Sequence, residues 1–202
     1  MRLLIIAGMP ASGKSTVAKK IGKHFGMPII EKDEIKEELF DTVGFNCYAE
    51  KRRLDVAATA VLLRVSDAML ASDSSFIIVN NFREDMSGKV KEMVEKHSAT
   101  VVTLFLGGNA DVFYERYADR DRRMARHAAH AVQEHYPLRE GDPKTYVMTR
   151  EEFREKFEML GMDKFDIGGT RIDVDATEPW KINVNRLINE IEAAFSREEN
   201  EK

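Results

Sequence analysis

The residues with the clearest chemical meaning are Gly8-Met9-Pro10-Ala11-Ser12-Gly13-Lys14-Ser15-Thr16, which fit the spacing G-x-x-x-x-G-K-[ST]. In such a run, backbone N–H groups of a glycine-rich turn and of the helix that follows converge on one point. An anion there meets aligned partial positive charge. The expected chemistry is the seating of nucleotide phosphates: Gly8 and Gly13 leave room for the turn and for backbone to approach phosphate, Lys14 reaches the β- and γ-phosphates, and the Ser15 hydroxyl holds Mg2+. A second chemically loaded residue is Asp33, a carboxylate just beyond the apolar run Pro28-Ile29-Ile30. A third group lies between Tyr114 and His135, where Arg116, Arg120, Arg122, Arg123 and Arg126 gather with His127, His130 and His135. Movable cations of this kind neutralise charge on a transferring phosphoryl group, although a solvated helix face is the plainer use of a charge run. The histidines lack the spacing with paired cysteines that would indicate zinc.

These residues act together only if the intervening elements bring them to one edge of a sheet. Leu3 to Ala7 reads as a buried strand and Val17 to Phe25 as a helix, closed by Gly26 and Pro28. The short second strand, Pro28 to Ile30, puts Asp33 at its C-terminal end, where α/β sheets bind ligands. Asp33 also suits the N-cap of a helix from Glu34 to Phe40. From Ala49 to Ala71, the residues Leu54, Ala57, Ala58, Val61, Leu62, Val65, Ala68 and Met69 recur at three and four, which predicts a long helix buried on that stripe. Phe76 to Val79 is a third strand, followed by Asn80-Asn81-Phe82-Arg83 and a helix from about Asp85 to Lys96. Thr100 to Leu106 is a fourth strand, and Asn109 caps the helix after it. Thr149 and Glu152 form a capping box for a helix reaching about Leu160. Thr170 to Asp175 alternates as a fifth strand. After Thr177 and Pro179 comes a last helix, with Trp180, Ile182, Val184, Leu187, Ile188, Ile191, Ala194 and Phe195 on its buried face. The alternation specifies an α/β fold with a five-stranded parallel sheet and helices on both faces. We expect one domain over residues 1–202, with an arginine-rich lid at about 114–135 and an insertion at about 136–165.

Composition narrows the possible partners. In 202 residues, 43% are hydrophobic and 33% charged, which describes a globular chain rather than a disordered one. With 31 Lys and Arg against 35 Asp and Glu, the net charge of −4 offers no global attraction to nucleic acid or to an anionic membrane. Contact with nucleic acid would have to be local. Cys47 is the only cysteine and is expected to be a small packing residue. No apolar stretch approaches about 18 residues, so a cytoplasmic protein is expected.

With the phosphate loop, Asp33 after strand two, Asn80-Asn81 after strand three and the arginines after strand four, the chain resembles the P-loop kinases. It is most similar to the branch holding polynucleotide 5′-hydroxyl kinases, zeta-toxin-type kinases, shikimate and gluconate kinases and chloramphenicol phosphotransferase. The likeness covers nearly the whole chain in element order, while only the phosphate loop is a highly specific motif. The resemblance implies a three-layer P-loop NTPase fold. It implies Asp33 as the general base that takes the proton of an acceptor hydroxyl. Arg116, Arg120, Arg123 and Arg126 become the lid arginines, the earlier ones nearer the adenine and the later ones nearer the γ-phosphate. Ala176 to Pro179, with Thr177, becomes the adenine-facing turn. No N-K-x-D motif for guanine is present, so ATP is the expected nucleotide. Many relatives carry Asp where this chain has Asn80, which adds no charge to attract Mg2+; the ion would rest on Ser15, the ATP and Asp33. The leading reading is transfer of the γ-phosphoryl group to a hydroxyl of a small-molecule acceptor, with Asn81, Arg83 and Lys36 as substrate-binding residues and Arg83, Lys36, Arg52 and Arg53 as candidates to hold an anionic acceptor. The alternatives are a nucleic-acid 5′-hydroxyl as acceptor, and an ATP-binding switch or adaptor that transfers nothing.

Overall fold

In a computed structural model of the chain, residues 1–123, 126–142 and 146–200 are described. Parts of the expected lid (Met124 and Ala125), of the expected insertion (Pro143, Lys144 and Thr145) and of the charged tail (Glu201 and Lys202) lie outside the described residues. Five strands form one sheet: β1 (Arg2–Gly8), β2 (Ile29–Glu31), β3 (Phe76–Val79), β4 (Thr100–Gly107) and β5 (Thr170–Asp175). All are parallel, in the order β2-β3-β1-β4-β5. The described helices are α1 (Lys14–Phe25), α2 (Lys32–Val43), α3 (Tyr48–Ala71), α4 (Ser87–Lys96), α5 (Ala110–Arg122), α6 (Ala128–Ala131), α7 (Arg150–Met159) and α8 (Val184–Asn200).

The central strands are covered on both faces, which is why they read as unbroken apolar runs rather than as alternation. Leu4 and Ile6 of β1 share a core with residues of α1, α5, α7 and α8. Leu3, Ile5 and Ala7 point the other way, into a core with α3 and α4. Three layers result. Within the segment expected as an insertion, Phe153, Phe157 and Met162 are buried in the first of these cores. Edge strand β5 is only partly covered, and its alternation is the one the sequence displayed.

Register decides where function can sit. Ile6 lies opposite both Val79 and Leu104, Glu31 opposite Val79, and Gly107 opposite Asp175, so the strands end together at one edge. The phosphate loop, Asp33, Asn80 and the turn after β5 all leave the sheet from that edge. Gly8 is required here for a reason other than phosphate access. Its φ is 140°, and a Cβ on it would come within 2.3 Å of the Leu106 carbonyl oxygen. Both expected caps form: Asn109 accepts from the N–H groups of Asp111 and Val112, and Thr149 with Glu152 makes the capping box of α7.

Four expectations are corrected. On α3 the buried stripe is narrow, Ala58, Leu62, Ser66 and Leu70 at strict fourth positions, while Val61 is 41% exposed and Val65 and Ala68 also face outwards. Burial of an apolar residue is common but not obligatory, so periodicity overstated the width of the face. Trp180 and Ile182 precede the last helix: Pro179–Lys181 form a 3-10 turn, α8 starts at Val184, and Trp180 is 75% exposed. Cys47 is exposed, the extended residue before α3, not a packing residue. Asp33 is not an N-cap, because α2 starts at Lys32 and leaves Glu31 in the cap position. No described helix is long and apolar enough to cross a membrane.

The two faces of α3 make a direct comparison. Leu62→Ala is expected to lower unfolding free energy by about 2–5 kcal/mol, and Val61→Ala by less than ~0.5 kcal/mol, both by urea titration. Equal losses would contradict the burial described.

Candidate active site

Helix α1 begins without a side-chain cap. Its N-cap is Gly13, held at φ 91°, and no acidic residue lies in the first turn. Glycine is the residue that adopts this backbone conformation freely. The opening N–H groups of a helix have no partner inside it, and they satisfy themselves with a cap, water or a ligand. Here they belong to the very residues that the motif assigns to phosphate. Pro10, Ala11, Gly13, Lys14, Ser15 and Thr16 line a cleft of about 850 Å³. Gly8, Met9 and Ser12 form the back of the loop, and the Ser12 side chain is fully buried. Lys14 Nζ folds back to donate to the carbonyl oxygens of Gly8 (3.1 Å) and Met9 (2.7 Å). Burial pushes the Lys14 ammonium down to about 7, Asp33 opposing this and Arg120 adding to it.

The floor of the cleft is a charged cluster from β2, α2 and α3. Ser15 Oγ donates to Glu31 Oε2 at 2.5 Å. A hydroxyl beside a carboxylate offers the hard oxygen donors that Mg2+ takes, so Ser15 and Glu31 fit that ion, with no charge contributed by Asn80. Glu31 is a functional candidate that sequence reasoning missed; the available signal was a second carboxylate two residues before Asp33 at the end of the same strand. Asp33 lies in the first turn of α2, 57% exposed to the cleft, with Lys36 Nζ at 3.3 Å and Lys32 Nζ at 3.9 Å. Desolvation within the cleft alone would raise its pKa. Lys36, then Lys32, His130 and Lys14, outweigh that and hold it well below the usual carboxylate range. Both lysines also bind Asp55 of α3, Lys36 at 3.2 Å. Lys36, Asn80, Asn81, Arg83 and Arg52 line the cleft, whereas Arg53 does not. Arg83 is committed to Asp85 through two hydrogen bonds of 3.0 and 2.9 Å.

The arginines divide. Arg116 donates to the carbonyl oxygens of Ala176, at 2.9 Å, and Thr177, bracing the turn after β5. The Thr177 hydroxyl is itself occupied, accepting from Asn109 N at 2.9 Å, and does not line the cleft. Arg120 faces the cleft, and its buried Nε has no hydrogen-bond partner among the described residues. Burial, then Arg126, lowers its pKa. Arg126 also faces the cleft but is paired with fully buried Asp121 and lies 5.2 Å over the Tyr117 ring. The structure does not bring Arg123 into the site: its side chain is 74% exposed and pairs with Asp119. The three histidines pair with carboxylates, His127 with Asp41, His130 with Glu37 and His135 with Asp142. Two of these tie the arginine-bearing segment to α2. His130 is pushed down to about 4 by burial, the Glu37 hydrogen bond resisting and Lys36 assisting. Among the described residues no group of three or more metal-ligating side chains occurs.

A five-stranded parallel sheet flanked by helices, with a glycine-started helix and Lys14-Ser15 at its C-terminal edge, defines a P-loop NTPase fold. The chain belongs to the AAA domain family, which matches residues 3–136. Among solved structures, a candidate kinase from Chloroflexus aurantiacus j-10-fl is 24% identical with a TM-score of 0.79, covering 96% of this chain and 97% of that one. A gluconokinase from Sinorhizobium meliloti 1021 is 17% identical (TM-score 0.54, covering 96% and 91%). A shikimate kinase from Aquifex aeolicus vf5 is 15% identical (TM-score 0.51, covering 97% and 96%). These likenesses extend the shared fold over almost the full length. No curated protein matches the chain.

The depressed Lys14 gives a signed pH dependence. Below about 7 it is already charged; above, it must take up a proton to meet phosphate, whose charge raises its pKa again. ATP affinity is therefore expected to fall as pH rises from 7 towards 9, by at most about tenfold per unit. At pH 8, calorimetry in buffers of different ionisation enthalpy should register proton uptake that Lys14→Met abolishes. Uptake unchanged in that variant would contradict the assignment.

Proposed function

We propose that the protein is an ATP-dependent phosphotransferase whose acceptor is a hydroxyl group of a small molecule. The observation that carries this reading is the left-handed Gly13 turn into α1, which opens with Lys14 and Ser15 into the same cleft as Asp33 and Arg120. A seat for phosphate and a carboxylate for the acceptor proton are what in-line transfer requires. In the reaction, a bond forms between the acceptor oxygen and the γ-phosphorus while the bond from that phosphorus to the bridging oxygen breaks. ADP leaves, and the hydroxyl proton goes to Asp33. The loop amides and Lys14 hold the phosphates, and Arg120, whose buried Nε has no internal partner, stabilises charge on the transferring group. Mg2+ would be held by Ser15 with Glu31 behind it and would supply neutralisation of the phosphate oxygens.

Family membership and the kinases that share the fold support phosphoryl transfer as the class of activity. A hydroxyl acceptor is supported by Asp33, since a charged carboxylate near the γ-phosphate position can orient an O–H and accept its proton.

The test uses γ-labelled ATP with Mg2+, a metabolite extract and a 5′-hydroxyl oligonucleotide in parallel. Label is expected in a small compound, with turnover at least ~100-fold lower in Asp33→Asn while ATP binding is retained. Arg120→Ala should lower turnover by about 100-fold or more, and Arg123→Ala by less than about twofold. Label on the oligonucleotide would replace the acceptor class. ATP binding without transfer to anything would favour a nucleotide switch, and unchanged turnover in Asp33→Asn would remove its assigned role.

A further inference from the structure

The charge of the cleft contrasts with that of the chain. The protein as a whole carries a net −4, yet among the described residues eleven Lys and Arg side chains line the cleft against three Asp. Several of those cations are already neutralised. Lys32 and Lys36 share Asp33 and Asp55, Arg83 binds Asp85, and Arg126 binds Asp121. Lys14 and Arg120 face the phosphates in the proposed reaction.

Arg116 braces the turn after β5, and four lining cations, Lys51, Arg52, Lys89 and Lys156, are not accounted for in this way; three of these act together. Lys51 of α3 donates to the carbonyl oxygens of His130, at 3.0 Å, and Val132, and has no carboxylate partner among the described residues. An ammonium has three N–H donors, so one remains for a ligand. Lys156 of α7 has the thioether of Met148, at 4.0 Å, as its only described hydrogen-bond partner. Arg52 of α3 reaches Asp55 only as a long ion pair of 3.8 Å. The three groups come from two elements, α3 and α7, that line the same cleft, and the charges of Lys156 on Lys51 and of Arg52 on Lys156 are felt across it. Lys51 is pushed down to about 7, by burial first and then by Lys36, Arg126 and Lys156. Lys156 is lowered by burial, then by Arg52, with Asp55 opposing. Asp55 and Asp121 offset this repulsion only in part, and an anion placed among the three cations reduces it further.

Resting on the kinase reading above, we propose that the acceptor carries a second, anionic group, a carboxylate or a phosphate, bound among Lys51, Arg52 and Lys156. Its hydroxyl then points towards Asp33 while the anionic end is held by Lys51, Arg52 and Lys156. Specificity in this site is for hydroxy acids or phosphorylated alcohols over their neutral counterparts.

The test fills the nucleotide seat first, so that any further anion must bind elsewhere. Protein saturated with Mg2+ and adenylyl imidodiphosphate is titrated with sulfate, standing for a phosphate group, and separately with malonate, standing for carboxylates. At least one should bind in the millimolar range, and whichever binds identifies the source of the charge. Lys51→Gln with Lys156→Gln should weaken that binding at least tenfold while adenylyl imidodiphosphate affinity stays within about twofold, which also reports that the variant is folded. Absence of binding by both anions, or binding indifferent to the two substitutions, overturns the proposal and leaves the kinase reading standing. Failure of the nucleotide analogue itself to bind would count against that reading instead. With the acceptor in hand, Lys156→Gln should raise its KM at least tenfold with little change in kcat; equal turnover of a neutral counterpart would contradict the proposal.

Discussion

The whole arrangement depends on a helix that starts without a cap. In α5 and α7 the opening N–H groups are met by Asn109 and by Thr149. In α1, as in α2, α3 and α4, no side chain meets them; what sets α1 apart is that it starts on a left-handed glycine, Gly13 at φ 91°, which has no side chain with which to compete. Unmet donors next to a buried ammonium are costly in the free protein, and the depression of Lys14 is one expression of that cost. A phosphate group relieves both at once. The parallel sheet makes this possible by ending its strands in register, so that the loop, the α2 carboxylates and the arginines converge without any one element being long enough to span the site.

The electrostatics of Asp33 constrain how the proposed reaction proceeds. Held far below its usual range by Lys36 and Lys32, it stays ionised at any physiological pH and is a weak base towards a free alcohol. That suits a loose phosphoryl-transfer transition state, in which the hydroxyl proton leaves late and positioning matters more than basicity. Asp33 would then act first as an acceptor that aligns the O–H. Proton transfer to it becomes favourable only as the new bond to phosphorus acidifies the oxygen.

Much of this was legible in the sequence because it rests on local rules. The phosphate loop, the Asn109 cap, the Thr149–Glu152 box and all five strands follow from residue type and short spacing. What was not legible rests on side-chain partners distant in sequence. Arg120 and Arg123 are three residues apart and chemically identical, yet Arg120 faces the cleft from the last turn of α5 while Arg123, the residue that closes that helix, pairs with Asp119. The Thr177 hydroxyl, in the turn expected to face adenine, accepts from the backbone N–H of Asn109, 68 residues away. Glu31 was passed over because a lone carboxylate ending a strand has many uses until Ser15 is known to touch it. Lys51 and Lys156 had no signal at all, since an unpaired cation is defined by missing neighbours.

The most direct test of the account is an experimental structure with Mg2+ and a non-hydrolysable ATP analogue. Phosphate oxygens within about 3 Å of the Gly13, Lys14 and Ser15 amides, and a terminal phosphate facing Asp33 across the cleft, are the predicted result. A nucleotide bound away from the α1 terminus, or one whose terminal phosphate points away from Asp33, would contradict it.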